Sequence, residues 1–98
     1  MSRPSFHPGD IVQHFKRETL SEEARRTNRY LYRIIGTALH SETRETLMIY
    51  EALYDDGGLF ARPYDMFMSE VDHEKYPNIQ QKYRFALAQS QTATEETT

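Results

Sequence analysis

The chain has 98 residues, 12 Lys and Arg against 15 Asp and Glu, a formal charge of −3, and no cysteine. At this length one core is the limit, because so short a chain buries only about two-thirds of its unfolded surface. The basic residues are scattered, which is not the footprint of a phosphate-backbone binder, and without disulfides the fold rests on its apolar core, as suits a reducing, cytoplasmic setting. No apolar run approaches the ~18 residues of a membrane helix, and Met1 is not followed by an apolar signal segment, so neither membrane nor export is expected.

Residues 1–9 contain Pro4, Pro8 and Gly9 and read as a lead-in. Residues 10–16 form the first expected strand, with Ile11 and Phe15 on one face. The spacing of Thr19 and Glu22 is that of a capping box, with the Thr19 hydroxyl placed to accept from the backbone of Glu22. It predicts a short polar helical insertion that ends by Asn28, with Glu22 and Glu23 near its start and Arg25 and Arg26 near its end, as the helix dipole favours.

Residues 30–40 are β-branched and aromatic and predict a strand, with a bulge or bend at Gly36. A polar turn over residues 41–45 leads into the strongest strand, residues 46–54. Asp55-Asp56-Gly57-Gly58 is the clearest turn signal, and residues 59–62 follow as a fourth strand. Pro63 suits a first helical position and predicts one helical turn over residues 63–68. Residues 69–73 form a short fifth strand. Residues 76–87 are amphipathic and ordered by Tyr76, Tyr83 and Phe85, in a state the pattern leaves open. Residues 88–98 form a Gln/Thr/Glu tail with nothing to bury, which predicts disorder. The expected fold is mainly β: a small SH3-like barrel of about five strands over residues 10–87, with a short helical insertion and a one-turn helix after Pro63.

Turns centred on Thr43-Arg44 and Asp56-Gly57 pair the strands. They place Leu47 opposite His40, Ile49 opposite Ala38, and Glu51 opposite both Gly36 and Arg62. Alternation along strands then gives two faces. Ile35, Thr37, Leu39, Met48, Tyr50, Ala52, Tyr54, Leu59 and Ala61 carry no charge and form the expected interior. Ile34, Gly36, Ala38, His40, Leu47, Ile49, Glu51, Leu53, Phe60 and Arg62 form the other face. A one-residue slip at Gly36 would exchange the contributions of the first of these strands. The second face needs a cover, which is either residues 76–87, the insertion at residues 19–28, or a partner.

Chemistry is thinly marked. His40 and Ser41 are strand neighbours that point apart, so the pair is not a nucleophile and its base. His40 and Glu42 share a face and make either turn chemistry or a polar rim. The four histidines lack paired metal-ligand spacing, and no Gly-rich loop opens a helix, so neither a metal nor a phosphate cradle is expected. Arg62 has two readings: a cross-strand partner of Glu51, or a bidentate holder of a carboxylate or phosphate. Tyr64 follows on the turn, where Phe67 plugs the core.

His40-Ser41-Glu42-Thr43, Tyr50-Glu51-Ala52-Leu53-Tyr54 and Gly58-Leu59-Phe60-Ala61-Arg62-Pro63, followed by Met66-Phe67, resemble the bacterial family known as domain of unknown function 1653. The resemblance spans residues 8–85, with Phe60 where a Trp is common and with residues 18–28 absent from short members. It implies a small bacterial cytoplasmic domain and no particular activity. The expected function is a non-enzymatic binding or adaptor module for a protein or small ligand, without cofactor. Its rim would be His40, Glu42, Arg62 and Tyr64 around Phe60. The alternative is an RNA- or nucleotide-contacting barrel that stacks bases on Phe60 or Tyr64; a small enzyme ranks last.

Overall fold

A computed structural model describes residues 5–88. Strands β1 (Ile11–His14), β2 (Leu31–Leu39), β3 (Thr46–Ala52), β4 (Leu59–Pro63) and β5 (Phe85–Leu87) form one antiparallel sheet, with helix α1 (Tyr64–Phe67) after β4. The strand order is β4-β3-β2-β1-β5. The mainly β expectation holds as an open sheet, with β4 and β5 at its edges. The fifth strand is displaced from its expected position. Residues 69–73 contribute only an isolated bridge between Glu70 and Tyr83, and the pairing with β1 falls to Phe85–Leu87. Apart from Ala88, the expected disordered tail lies outside the described residues.

Two register events decide what is buried. In β2 the pairing shifts between Ile34 and Gly36, so that Ile34 faces Tyr50 while Thr37 faces Met48. Gly36 carries this bulge at φ +153°, a conformation that L side chains rarely adopt. As a result Ile34 is buried and Ile35, expected inside, is 43% exposed. In the next hairpin Leu59 stands opposite Glu51, where Arg62 was expected. The Asp55–Gly58 region makes a wide loop instead of a two-residue turn: the Ala52 N–H reaches the Gly58 carbonyl, and Asp55, Gly57 and Gly58 all have positive φ. An offset of three residues changes the face of every β4 side chain. Phe60 and Arg62 therefore join Tyr50 and Met48, and Leu59 and Ala61 turn outward. Glu51 pairs with Arg33 instead, at 3.3 Å.

The core lies on the Tyr50 face. Val12, Tyr32, Ile34, Met48, Tyr50 and Ala52 from the sheet close on Phe67 and Met68 beside α1 and on Phe85. Phe67 and Phe85 stack at 3.9 Å with nearly parallel rings. The Tyr32 and Tyr54 hydroxyls bond at 2.6 Å, and burial, then this bond, holds the Tyr32 phenol well above its ordinary pKa. Part of the C-terminal segment, through Phe85, thus closes over the Tyr50 face and not over the Leu47, Ile49 and Glu51 face for which a cover was expected, while Phe60 stays 46% exposed.

Residues 15–28 depart from the expected capping-box helix. Two short 3-10 turns form, Phe15–Thr19 and Ala24–Arg26. The Thr19 hydroxyl donates to the Lys16 carbonyl, and the Ser21 hydroxyl accepts from the Ala24 N–H. Arg17 outweighs local propensity here by donating to the carbonyls of Arg25, Thr27 and Arg29, which fold the insertion back on itself. Glu18 ties the same stretch to the C-terminal segment by accepting the Gln80 and Gln81 N–H groups at 2.8 and 2.7 Å. Phe15, Val71 and Ile79 form a second small core, with Tyr76 against it.

Candidate functional site

The expected rim residues are dispersed over the molecule. His40 ends the β2 hairpin arm, where its Nδ1 accepts the backbone N–H groups of Glu42 and Thr43 at 3.1 and 3.2 Å. That geometry is turn chemistry, one of the two readings of His40, and it leaves the Glu42 side chain exposed. Tyr64 lines a shallow hollow with Thr37, Glu45, Thr46 and Pro63. Phe60 leans on Tyr50 at 5.7 Å between ring centroids. Arg62 lies elsewhere, in a cleft that none of the other four lines.

This cleft, about 350 Å³, gathers several charged residues. Lys16, Arg62, Lys75 and Arg84 bring four cations to it, and Asp72 the one carboxylate. His14 completes the polar lining, while Phe15, Val71 and Tyr76 supply an apolar wall. The parts come from four stretches of chain. The end of β1 brings His14, the following turn Phe15 and Lys16, β4 Arg62, and the connection from α1 into β5 the rest. No local spacing joins them, so the sequence signalled only Arg62.

The two guanidinium groups are held by neutral oxygens, and the Lys75 ammonium lies over the Tyr76 ring at 5.5 Å. Arg62 Nε donates to the Tyr50 hydroxyl at 3.2 Å, and Arg84 Nε to Ser69 Oγ at 3.3 Å. Among the described residues none of the four cations makes an ion pair within 4.0 Å. Burial, then the neighbouring Arg62, lowers the Arg84 pKa, although a guanidinium remains charged throughout the working range. Asp72 is occupied locally, where Oδ1 accepts the N–H groups of Glu74 and Lys75.

His14 is pushed down to about 4, first by burial and then by Arg62, Arg84 and Lys16. Its ring stacks on Phe15 at 4.4 Å and meets Phe85 edge-on at 5.0 Å. Nδ1 accepts the Lys16 N–H, so the neutral ring carries its hydrogen on Nε2.

A stability effect follows from this depression. An unfolded histidine takes its proton near pH 6.5 and the folded one only near 4, so between those values the unfolded state binds more protons. The contribution is complete above about pH 6.5, is lost as pH falls through the window, and levels off near 4. Discounted for the solvent that reaches a half-buried ring, the loss should be about 1–2 kcal/mol. Urea unfolding at neutral pH and near pH 4 measures it. His14→Asn, which keeps a short acceptor for the Lys16 N–H, should flatten the slope; an unchanged slope would exclude His14 as its source.

A family model described as "Protein of unknown function (DUF1653)" matches residues 10–87. No curated protein and no solved structure matches the chain.

Proposed function

The chain belongs to the DUF1653 family, whose description assigns no activity, and from the geometry we propose that the domain is a non-enzymatic binding module whose cleft takes an anionic group of its ligand. One observation carries the reading: four cations converge on a single cleft, without ion pairs among the described residues, in a chain whose net charge is −3. Guanidinium groups held at Nε keep their outer nitrogens for planar, bidentate recognition of an acidic group.

The finer fold reading supports the same site. Arg62 from edge strand β4 and Arg84 beside edge strand β5 line one cleft, so the sheet curls far enough to bring its two ends together. A one-turn helix between β4 and β5, with β5 returning to β1, is the order of an SH3-like barrel left partly open. Fold alone carries no function. A bacterial cytoplasmic setting agrees with the resemblance and with the lack of cysteine.

Titrating isotopically labelled protein with inorganic phosphate, citrate and a short uridine oligonucleotide at low salt tests the proposal. Amide signals of Lys16, Asp72, Tyr76 and Arg84 should move together, and a cleft silent to all three would sink it. The RNA reading keeps one support, the position of half-exposed Phe60 on the same face of β4 as Arg62. It requires oligonucleotide affinity that falls steeply as salt rises.

A further inference from the structure

We infer that the group held in the basic cleft is a phosphomonoester on a small organic body, an assignment that rests on the reading of the cleft as an anion site. Charge is the first ground. A carboxylate brings one negative charge and would leave most of the charge of Lys16, Arg62, Lys75 and Arg84 unanswered. A phosphomonoester brings about −1.5 to −2 at pH 7 and three strong acceptor oxygens. Two guanidinium forks from different chain segments and the Lys16 and Lys75 ammonium groups, the latter over the Tyr76 ring, form a donor set suited to those oxygens.

A second ground separates a small ester from a nucleic-acid strand. Each diester of a strand carries a single charge, and the strand must enter and leave the cleft. The segment that forms one wall carries Glu70, Asp72 and Glu74 within five residues, and all three are exposed. An acidic run beside the cleft disfavours a long polyanion there, whereas a single terminal phosphate need meet only Asp72, the one of the three that lines the cleft.

Size is the third ground. About 350 Å³ lies at the small end of the range for ligand pockets and is more than a phosphate group fills. The remaining wall is aromatic, with Tyr76 edge-on to Phe15 at 4.9 Å. It would face the organic part of the ligand, sugar or base.

Isothermal titration of the full chain at neutral pH tests the assignment with adenosine 5′-monophosphate, glucose 6-phosphate, inorganic phosphate, cyclic 3′,5′-adenosine monophosphate and acetate. At least one monoester should bind about tenfold tighter than the cyclic diester, acetate and inorganic phosphate. A preference for the nucleotide or for the sugar phosphate identifies the source of the ester, and either supports the assignment. Arg62→Gln and Arg84→Gln should each weaken the monoester about tenfold or more. Arg62→Lys, which keeps charge but loses the fork, guards against a variant that fails to fold. Arg33→Gln removes the same charge away from the cleft, where Arg33 pairs with Glu51, and should leave affinity unchanged. Cyclic diester or acetate binding as tightly as the monoesters overturns the phosphomonoester while the anion site stands. Inorganic phosphate binding as tightly as the esters overturns the organic body. No binding by any probe overturns both assignment and anion site.

Discussion

Tyr50→Ala should destabilise the domain by about 3–5 kcal/mol, the range for emptying a large aromatic position in a packed core. Tyr50 is 5% exposed at the centre of the sheet. Its ring touches Tyr32 at 5.3 Å, Phe67 at 4.9 Å and Phe85 at 5.7 Å. Removing it opens a void that three separate segments cannot close together, because the sheet holds Tyr32 while α1 and β5 hold the two phenylalanines. Tyr64→Ala should lose less than half as much, since Tyr64 is only partly buried at the margin of the same core. Tyr50→Phe separates packing from chemistry: the core is kept, and Arg62 loses the hydroxyl that accepts from its Nε. A small stability change with weakened anion binding should follow. Urea denaturation of the three variants gives the comparison, and equal losses at Tyr50 and Tyr64 would contradict the face assignment.

Phe85→Ala should be comparably severe, about 3–5 kcal/mol, and for a reason the strand count hides. β5 is three residues long and among the described residues pairs with β1 alone, so its backbone hydrogen bonds hold it weakly. The anchor is the Phe85 ring, 1% exposed, stacked on Phe67 and edge-on to His14. Loss of that ring should release the edge strand before the rest of the sheet. Amide exchange should rise at the β5 end of the molecule, including the Ala88 N–H that donates to Ile11. Arg84 adjoins Phe85, so the cleft should lose anion affinity as well. Leu87→Ala, at a 55% exposed position of the same strand, should stay within about 0.5 kcal/mol of wild type. A Phe85→Ala protein that keeps both stability and slow exchange at Ala88 would show that β5 is held otherwise.

These two aromatic residues stand on different sides of what could be read from the chain. Tyr50 was legible as core because residues 46–54 alternate strongly, and such alternation survives any register of the partner strands. The antiparallel succession of β2, β3 and β4, the turn at His40 and the helical turn after Pro63 were legible for a similar reason. Each depends on residues close in sequence whose backbone preferences agree.

The faces of β2 and β4 were different, because each depended on a single loop or bulge. Gly36 announced a bulge but not its position, and the position decided whether Ile34 or Ile35 entered the core. Asp55-Asp56-Gly57-Gly58 announced a turn, yet the three positive-φ residues made it wide and shifted Leu59 to the place expected for Arg62. A strand repeats every two residues, so an odd error in loop length reverses a whole face.

The cleft was beyond local reading altogether. By itself the sequence determined a small mainly β domain, its β2-β3-β4 meander and an apolar centre around Tyr50, since these follow from periodicity and turn chemistry in short windows. Only the tertiary structure decided that His14, Lys16, Arg62, Lys75 and Arg84 meet. Their meeting requires the sheet to curl and the α1–β5 connection to fold back against β1, a long-range arrangement set by the packing of Phe67, Phe85 and Phe15 and by the hydrogen bonds of Glu18.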